Sequence, residues 1–292
     1  MMDINYELYK VFYHVANTLS FSEASKQLFI SQSAVSQSIK VLEKKLNQPL
    51  FIRSTKRVQL TPEGEILLKH IEPAMNLIKQ GENQLLEANT LNGGQLRIGA
   101  SDTICRYYLI PYLKEFHRKY PNVHIKVTNQ TSIACAKLLE SGQVDFAITN
   151  YPNSGLSNTQ NVRIIHEFHD VFAANDEYGS LRGKTVTLKE LQTCPILMLD
   201  RKSTTSEFLH SMFQRHQLDL VPEIELSSNE LLIDLARIGL GIAFVPDYCI
   251  PENDPALFIV HLEEQLPARQ MVVAYNENIP LSQAARQFID ML

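Results

Sequence analysis

The sequence has few cysteines and no long apolar run, and these absences exclude several classes of protein. Its four cysteines, Cys105, Cys135, Cys194 and Cys249, lie far apart and form no CxxC pair, which argues against a zinc site or a redox dithiol. No run approaches the roughly 20 apolar residues of a membrane helix, and the start, MMDINYELYK, lacks the apolar core of a signal peptide. We therefore expect buried free thiols and a cytoplasmic location.

The chain also lacks the short motifs of common enzyme classes. It contains no GxSxG elbow, no P-loop and no GxGxxG after a strand. His166 and His169 have HxxH spacing, but residues i and i+3 of a predicted strand point to opposite faces, which disfavours a metal site there. We expect no metal, no cofactor and no enzymatic activity.

Length and charge distribution predict more than one domain. The chain has 292 residues, whereas a typical domain has roughly 100–200. The net charge is −5, but residues 1–60 contain eight Lys and Arg against four Asp and Glu, so this segment carries +4 and the remainder −9. A basic N-terminal segment ahead of an acidic remainder indicates an anion-binding module.

The first 46 residues have the pattern of three short helices. A helix over residues 6–18 is predicted by four apolar residues at helical spacing, Leu8, Phe12, Val15 and Ala16. Ser20 and Glu23 form a capping-box pattern that starts a second helix, and Ser31 can cap a third. The buried stripe of the third helix is predicted to be Val35, Ile39, Leu42 and Leu46.

Polar side chains form one exposed face near the start of the third predicted helix. They are Gln32, Ser33, Ser36, Gln37 and Lys40. A helix fits the major groove, where Gln pairs with adenine, Ser bonds several bases, and Lys reaches guanine or phosphate. A merely solvated face is the alternative, but such a face would carry more Glu and fewer Ser. The pattern therefore predicts that this face reads DNA bases.

A short hairpin with a basic tip follows in QPLFIRSTKRVQLTPEG, residues 48–64. Leu50 with Ile52 and Val58 with Leu60 alternate on the two sides of the tip, which contains Arg53, Ser54, Thr55, Lys56 and Arg57. Such a tip suits phosphates or a minor groove. A solvated loop is the alternative, and the preceding helix-turn-helix pattern makes it less attractive.

A long helix with one apolar stripe comes next. Thr61 is a predicted N-cap with Pro62 at the first helical position. The stripe continues over nearly thirty residues and consists of Ile66, Ile71, Met75, Ile78 and Leu85. Such a helix needs a partner, and a second copy of the chain would give a two-fold dimer that matches a palindromic operator.

Together these motifs resemble the LysR-type transcriptional regulators. The segment FSEASKQLFISQSAVSQSIKVLEKKLNQPLFIRSTKRVQLTPEG is close to the winged helix-turn-helix signature of that family, and GQLRIGAS, GQVDFAI and GLGIAFVP stand at the expected later places. The resemblance implies a homotetramer built from dimers, with a C-terminal co-inducer domain like the periplasmic binding proteins. It also implies double-stranded DNA, a small-molecule effector and RNA polymerase as partners.

The remainder of the chain alternates strands and helices. LRIGAS, VHIKVTNQ and DFAITN read as strands separated by helices at about 105–120 and 132–141, and the rhythm restarts with HEFHDVFAAN. This order predicts parallel sheets covered on both faces. Chain crossings near 161–167 and 267–270 would divide the region into two lobes that enclose a cleft.

The predicted architecture is α/β overall, with three parts. A winged helix-turn-helix domain covers 1–60, a linker and dimerisation helix 61–92, and a two-lobed effector domain like the periplasmic binding proteins 93–292. Lobe I is expected at about 93–163 and 268–292, and lobe II at about 164–267.

Hydroxyl and amide side chains follow the ends of the predicted strands. They are Ser101, Thr103, Gln130, Thr131, Asn150, Ser203, Thr204 and Thr205. Ligands of open α/β sheets bind outside the carboxyl ends of the strands, beside helix N-termini. Helix capping is the alternative for any single residue. The combination, together with the resemblance, predicts a site for a small anionic metabolite.

The charge of the ligand stays open in the sequence. Arg201 and Lys202 are candidate partners for an anion such as a carboxylate. Asp102 and Asp200 lie close by in the sequence, so a zwitterion such as an amino acid is a second candidate.

Three other functions compete with an effector-controlled regulator. A redox-sensing regulator would need a reactive thiol, usually with a resolving partner, and Cys194 and Cys249 lie far apart in the chain. A solute-binding or transport component would leave the basic N-terminal module unexplained. An enzyme would need a nucleophile with its base, and the predicted cleft offers neither. Specific duplex binding separates the regulator from the last two.

Overall fold

The chain folds into two compact units. The computed structural model describes residues 3–53, 57–87, 94–157, 160–251 and 254–292. The first unit ends with the long fourth helix and includes Ser141–Gln143, and the second contains the rest of the chain from the third strand onward. Within those ranges, no helix is both long and apolar enough to cross a membrane, and no cluster of three or more His, Cys, Asp or Glu could hold a metal ion.

Three helices open the N-terminal unit, and their starts confirm the predicted caps. They are α1 (Tyr6–Thr18), α2 (Phe21–Leu28) and α3 (Gln32–Leu46). The Ser20 hydroxyl accepts a hydrogen bond from the Glu23 amide, and the Ser31 hydroxyl accepts one from the Ala34 amide. The reciprocal bond of a capping box is replaced at Ser20, whose amide donates to Thr18 Oγ1 while the Glu23 carboxylate accepts from Lys26. Each helix ends in a left-handed residue other than glycine, namely Leu19, Phe29 and Asn47.

The N-terminal core consists of the predicted apolar stripes. Phe12, Val15, Val35, Ile39 and Leu42 are fully buried. The ring of Phe51 packs against Phe12 and Phe21, with centroids 5.5 and 5.9 Å apart, and thereby attaches the hairpin to the helices.

A two-stranded hairpin and a long helix complete this unit. Strands β1 (Phe51–Arg53) and β2 (Val58–Leu60) pair antiparallel, as predicted, whereas Ser54, Thr55 and Lys56 of the tip lie outside the described residues. The Thr61 hydroxyl accepts a hydrogen bond from the Gly64 amide at the start of α4 (Pro62–Glu87), so the predicted cap is confirmed. The predicted end of the linker at 92 lies outside the described residues.

The first lobe of the C-terminal unit is a five-stranded mixed sheet. Its strands are β3 (Gln95–Ala100), β4 (His124–Asn129), β5 (Phe146–Tyr151), β6 (Gln160–Phe168) and β13 (Arg269–Asn276), in the order β4-β3-β5-β13-β6. The first three are parallel, but β13 runs antiparallel to both of its neighbours. The expectation of purely parallel sheets was wrong because β6 and β13 are the strands by which the chain leaves and re-enters the lobe.

The second lobe is a six-stranded mixed sheet. Its strands are β7 (Asp170–Ala174), β8 (Thr185–Val186), β9 (Ile196–Leu199), β10 (Ile224–Leu226), β11 (Ile242–Pro246) and β12 (Phe258–Leu262), in the order β10-β9-β11-β7-β12-β8. β9 is parallel to β10 and β11, whereas β7 is antiparallel to β11 and β12. We call the five-stranded sheet with its helices lobe I and the six-stranded sheet with its helices lobe II.

The chain passes from lobe I to lobe II at His169. The segment HEFHDVFAAN is not one strand of lobe II, because its first three residues end β6 in lobe I at Phe168 and β7 begins at Asp170. The passage therefore lies just beyond the expected crossing at 161–167. No glycine or proline marks the bend, so the alternating pattern could not locate it. The chain returns between β12 and β13.

Helices cover both sheets. They are α5 (Asp102–Ile104), which continues through a π-turn (Cys105–Leu109) into α6 (Ile110–Lys119), then α7 (Ser132–Glu140), α8 (Leu188–Leu191), α9 (Thr204–Arg215), α10 (Asn229–Arg237) and α11 (Gln283–Ile289). Lobe I has a core around Phe116, Phe146 and Phe288, and lobe II has one around Phe172, Phe213 and Phe244.

Candidate functional site

The candidate recognition face of the N-terminal unit lies on α3. Gln32, Ser33, Gln37 and Lys40 are exposed, and Ser36 is half-buried. The hydroxyl oxygens of Ser33 and Ser31 lie 2.9 Å apart. Among the residues that the structure describes, the side chains of Gln32, Gln37 and Lys40 have no hydrogen-bond or ion-pair partner. These three groups are therefore presented to solvent with their hydrogen-bonding capacity unused.

Phe29 is an exposed aromatic residue directly ahead of this helix. Its side chain is 95% exposed, and its backbone is left-handed, with φ 55°. In the sequence, Phe29 stands out only as part of the FIS segment that ends the second helix. A Phe ring can contact the methyl group of thymine, so Phe29 is a candidate DNA contact that the sequence pattern missed.

The basic wing is described in part. Arg53 ends β1 and exposed Arg57 precedes β2, but the side chain of Arg53 and all of Ser54 and Lys56 lie outside the described residues. The hairpin therefore places the two ends of the basic tip beside the helices.

The C-terminal unit contains a cavity of about 270 Å³ between its two lobes. Lobe I contributes Ser101, Asp102, Thr103, Asn129, Gln130, Thr131, Ser132 and Asn150, and lobe II contributes Leu199, Asp200, Ser203, Thr204, Thr205, Ser227, Ser228, Asn229 and Glu230. All eight side chains selected from the sequence as effector contacts line this cavity. Clefts that hold drug-sized ligands have roughly 300–1,000 Å³, so this cavity suits a smaller molecule.

Four helix N-termini converge on the cavity. The hydroxyls of Ser101, Thr131, Ser203 and Ser228 accept hydrogen bonds from amides in the first turns of α5, α7, α9 and α10, at 3.1–3.4 Å. Capping and cavity lining, which were alternatives in the sequence, are therefore combined in the same residues. The positive ends of these helix dipoles, with their free amides, favour an anion in the cavity.

The charged side chains on the cavity wall are acidic. They are Asp102, Asp200 and Glu230, and among the described residues no Lys or Arg lines the cavity. Arg201 and Lys202, the candidate charge partners in the sequence, are exposed and not part of the wall.

Two buried amide oxygens in the wall lack a partner. Asn150 and Asn229 are 7% and 4% exposed, and within the described part of the chain neither Oδ1 accepts a hydrogen bond. The side-chain Nδ2 of Asn229 in lobe II donates a hydrogen bond to Thr103 Oγ1 in lobe I at 2.9 Å. A bound molecule that donates hydrogen bonds could satisfy both oxygens.

Several wall residues were not selected from the sequence. Residues 227–230 follow β10 as the selected residues follow their own strands, so the same strand-end rule would have found them. Arg106 of lobe I and Glu230 of lobe II also form an ion pair at 2.7 Å between Nε and Oε1. That contact joins the lobes beside the cavity.

The cysteines have properties that disfavour redox sensing. All four are free. Burial, with a further contribution from Asp102, raises the pKa of Cys105 to about 11, and burial raises the pKa of Cys135 to about 12. Burial also raises the pKa of Cys194 and of Cys249. Because the thiolate is the reactive form, these thiols are poorly reactive at neutral pH.

Alkylation kinetics should show this protection. At pH 8, iodoacetamide should modify Cys105 of the folded chain about 100-fold more slowly than a thiol with an unshifted pKa, because its pKa is raised from 9.0 to about 11. Mass spectrometry of timed samples measures the rate, and the denatured chain is the control. Fast modification of any cysteine in the folded chain would restore the redox-sensing hypothesis.

Comparisons with known sequences identify the family. Residues 6–65 match the family described as "Bacterial regulatory helix-turn-helix protein, lysR family", and residues 89–292 match the "LysR substrate binding domain". The chain therefore belongs to the LysR family of transcriptional regulators, which bind DNA and carry an effector-binding domain. The predicted resemblance, fold class and regulatory function are confirmed.

Individual relatives extend over nearly the whole chain. The "Probable RuBisCO transcriptional regulator" of Trichormus variabilis is 29% identical over 92% of this chain and 82% of its own length. A full-length OxyR variant from Pseudomonas aeruginosa has a TM-score of 0.73 at 19% identity, covering 99% of this chain and 95% of that one. CbnR in complex with its target DNA has a TM-score of 0.65 at 17% identity, covering 98% of each chain.

Proposed function

We propose that this LysR-family regulator reads its operator with the exposed face of α3 and responds to a small metabolite bound between lobes I and II. The observation that carries the proposal is the cavity wall, where eight polar residues at or beyond the ends of four strands meet around one space. The wall contains no nucleophile paired with a base, so we infer binding without catalysis.

The proposed DNA contacts divide between bases and phosphates. Gln32, Ser33, Ser36, Gln37 and Lys40 face the major groove, and Phe29 can add a contact with a thymine methyl group. The wing residues Arg53, Ser54, Lys56 and Arg57 contact phosphates or a minor groove, which positions α3 without reading sequence.

A second copy of the chain is the proposed partner of α4. Ile66, Ile78 and Leu85 of the apolar stripe are exposed, whereas Ile71 packs against the N-terminal core. Covering the exposed residues in a two-fold dimer would place two copies of α3 on a palindromic operator. We further infer a homotetramer, action on DNA in the cytoplasm, and contact with RNA polymerase, as the family resemblance implies.

The wall chemistry supports an anionic or zwitterionic effector. Four helix N-termini favour a carboxylate or a similar anion. The unpartnered oxygens of Asn150 and Asn229, and the acidic Asp102, Asp200 and Glu230, favour a ligand that also donates hydrogen bonds. An amino acid or a hydroxy acid combines both properties in a molecule small enough for the cavity.

The proposed control is a shift in the population of lobe arrangements. A ligand that contacts walls from both lobes favours the arrangement in which those walls lie at the correct separation. A change of lobe arrangement in the assembled oligomer then changes the spacing or bend of the bound half-sites.

The first test is a thermal-shift screen of the full chain against small carboxylates, amino acids and sulfur metabolites, because a ligand of the folded state raises the melting temperature. Footprinting on the promoter region next to the chain's own gene tests duplex binding separately. A ligand without any specific duplex would favour a solute-binding component, and turnover of the ligand would favour an enzyme.

Thr204→Val should weaken binding of the effector found by that screen about 10- to 100-fold, since a hydrogen bond to a charged group contributes roughly 1.5–3 kcal/mol. Thr204 is buried at the start of α9 and lines the cavity. Calorimetry gives the affinity. Thr185→Val, at an exposed site on β8, is the matched control and should bind normally. A simultaneous loss of operator binding in Thr204→Val would indicate misfolding.

A further inference from the structure

A buried guanidinium lies directly behind the effector cavity. Arg269 is 2% exposed and begins β13, where the chain re-enters lobe I. Its Nη1 donates to Asp170 Oδ2 at 2.6 Å and to Thr205 Oγ1 at 3.2 Å, and its Nη2 donates to Thr204 Oγ1 at 3.1 Å. One side chain thus connects both passages between the lobes with the start of α9.

The hydroxyls of Thr204 and Thr205 can extend the electrostatic effect of Arg269 to the cavity. Thr204 and Thr205 both line it, and both accept a hydrogen bond from Arg269. A hydroxyl that accepts a hydrogen bond keeps its own proton for donation. Donation from a guanidinium also polarises the hydroxyl and strengthens it as a donor. The cavity wall at α9 therefore offers two hydroxyl donors to a hydrogen-bond acceptor on the ligand. An anionic acceptor would form the strongest hydrogen bonds with them.

The guanidinium is buried between two aromatic rings. Its central carbon lies 5.4 Å from the ring centroid of Phe168 and 5.0 Å from that of Phe208. Burial raises the pKa of Asp170 even though Arg269 opposes the shift, which is a sign of strong desolvation around the pair. In such surroundings, charges interact over longer distances than they do in water.

We propose that Arg269 is the cation of the effector site, and that it acts through the hydroxyls of Thr204 and Thr205 to make the cavity select a carboxylate over the corresponding neutral amide. Arg269 is a positioning residue, because it polarises and orients the groups that touch the ligand. The inference rests on the proposed effector role of the cavity, and it explains how a wall without a Lys or Arg among the described residues can recognise an anion.

The test measures selectivity rather than affinity alone. Thermal shift on the full chain compares each carboxylate with its primary amide, using glycine and glycinamide, alanine and alaninamide, serine and serinamide, and lactate and lactamide. Calorimetry then quantifies the pair with the largest difference. A loss of general stability lowers both affinities together, whereas the loss of a polarising cation lowers only the preference for the carboxylate.

Two double variants disconnect Arg269 from the cavity in different ways, and we call them the relay variants. Arg269→Met with Asp170→Leu removes the whole ion pair, so that no buried charge is left alone. Thr204→Val with Thr205→Val keeps the ion pair and removes the hydroxyls that connect it to the cavity. The control is Arg97→Met with Asp145→Leu, which removes an Arg–Asp pair that lies within lobe I, is 2.6 Å long and is absent from the cavity wall.

In the wild-type chain, the best carboxylate should bind at least about tenfold more tightly than its amide, as expected for a charge-assisted hydrogen bond. Both relay variants should reduce this ratio to about twofold or less, and the control should keep it. The proposal is wrong if either folded relay variant keeps the full ratio, or if no carboxylate in the set stabilises the wild-type chain more than its amide. Operator binding, measured in parallel, reports separately on the regulator function.

Discussion

Arg269→Met alone should lower the free energy of unfolding by about 3–5 kcal/mol, the usual effect of removing one partner of a buried ion pair. The variant leaves Asp170, whose side chain is fully buried, without its cation. It also removes the donors that Thr204 and Thr205 accept from. Urea denaturation followed by circular dichroism measures the loss, provided that the transition of the C-terminal unit is resolved from that of the N-terminal unit.

A second substitution, Asp170→Leu, separates the effect of the unpaired charge on stability from the effect of lost packing. Addition of Asp170→Leu should restore most of the stability, because apolar replacement of a complete buried pair is often neutral or stabilising. If the double variant remained as unstable as the single one, the contacts of the Arg269 stem with Phe168 and Phe208 would be the main contribution instead.

The instability of Arg269→Met should also depend on pH. Burial already raises the pKa of Asp170 in the wild-type chain while Arg269 opposes that shift, so removal of the guanidinium should raise this pKa further above its value in the unfolded chain. A carboxyl of this kind takes up a proton on folding, so stability is highest at low pH and falls as the pH rises toward the folded-state pKa. The stability deficit of Arg269→Met relative to the wild type should therefore shrink as the pH falls toward about 4, the pKa of an unfolded Asp, and the double variant should lack the pH dependence that arises from Asp170. A loss that is the same at every pH would contradict this explanation.

Gln37→Ala should lower affinity for the operator about 10- to 100-fold, since a bidentate contact between a side chain and a base contributes roughly 1–3 kcal/mol of discrimination. Gln37 is exposed on α3, and among the described residues its side chain has no protein partner. Binding to unrelated duplexes should not change, because phosphate contacts supply that affinity. Fluorescence anisotropy on operator and scrambled duplexes gives both values.

Two variants make this result specific. Gln48→Ala removes an exposed glutamine just beyond the end of α3 and should leave both affinities unchanged. Arg57→Ala, in the basic wing, should weaken all duplexes alike and reduce the salt slope by about one. An unchanged site preference in Gln37→Ala would mean that a different face of the N-terminal unit reads the bases.

Features that depend on neighbours in the sequence were predictable. The caps at Ser20, Ser31 and Thr61 follow from side-chain chemistry within one turn of each residue, and the structure has all three. The polar residues of the cavity could also be predicted from the sequence, because the carboxyl ends of parallel strands meet at one edge of a sheet.

Features that depend on distant parts of the chain were not predictable. Arg269 lies in the segment PARQMVV, which has no motif, and its partners Asp170 and Thr205 are 99 and 64 positions away. Arginine is almost never fully buried unless it is paired, so nothing in its sequence surroundings indicated an interior position. The exposure of Phe29 was equally hidden, since its large apolar side chain suggests a core residue.

The two passages between the lobes run side by side, because Phe168 at the end of β6 is paired with Arg269 at the start of β13. Asp170 opens β7 immediately after the first passage, Arg269 opens β13 immediately after the second, and their ion pair holds the two strand starts together. Paired strand ends that are also joined by an ion pair resist sliding past one another, but the chain can bend at that point. Domain movements are commonly either hinge or shear motions. The connection at this passage favours a hinge motion centred on the ion pair. A small rotation about this hinge would produce larger displacements at greater distance, so the elements farthest from β7 and β13 would move most.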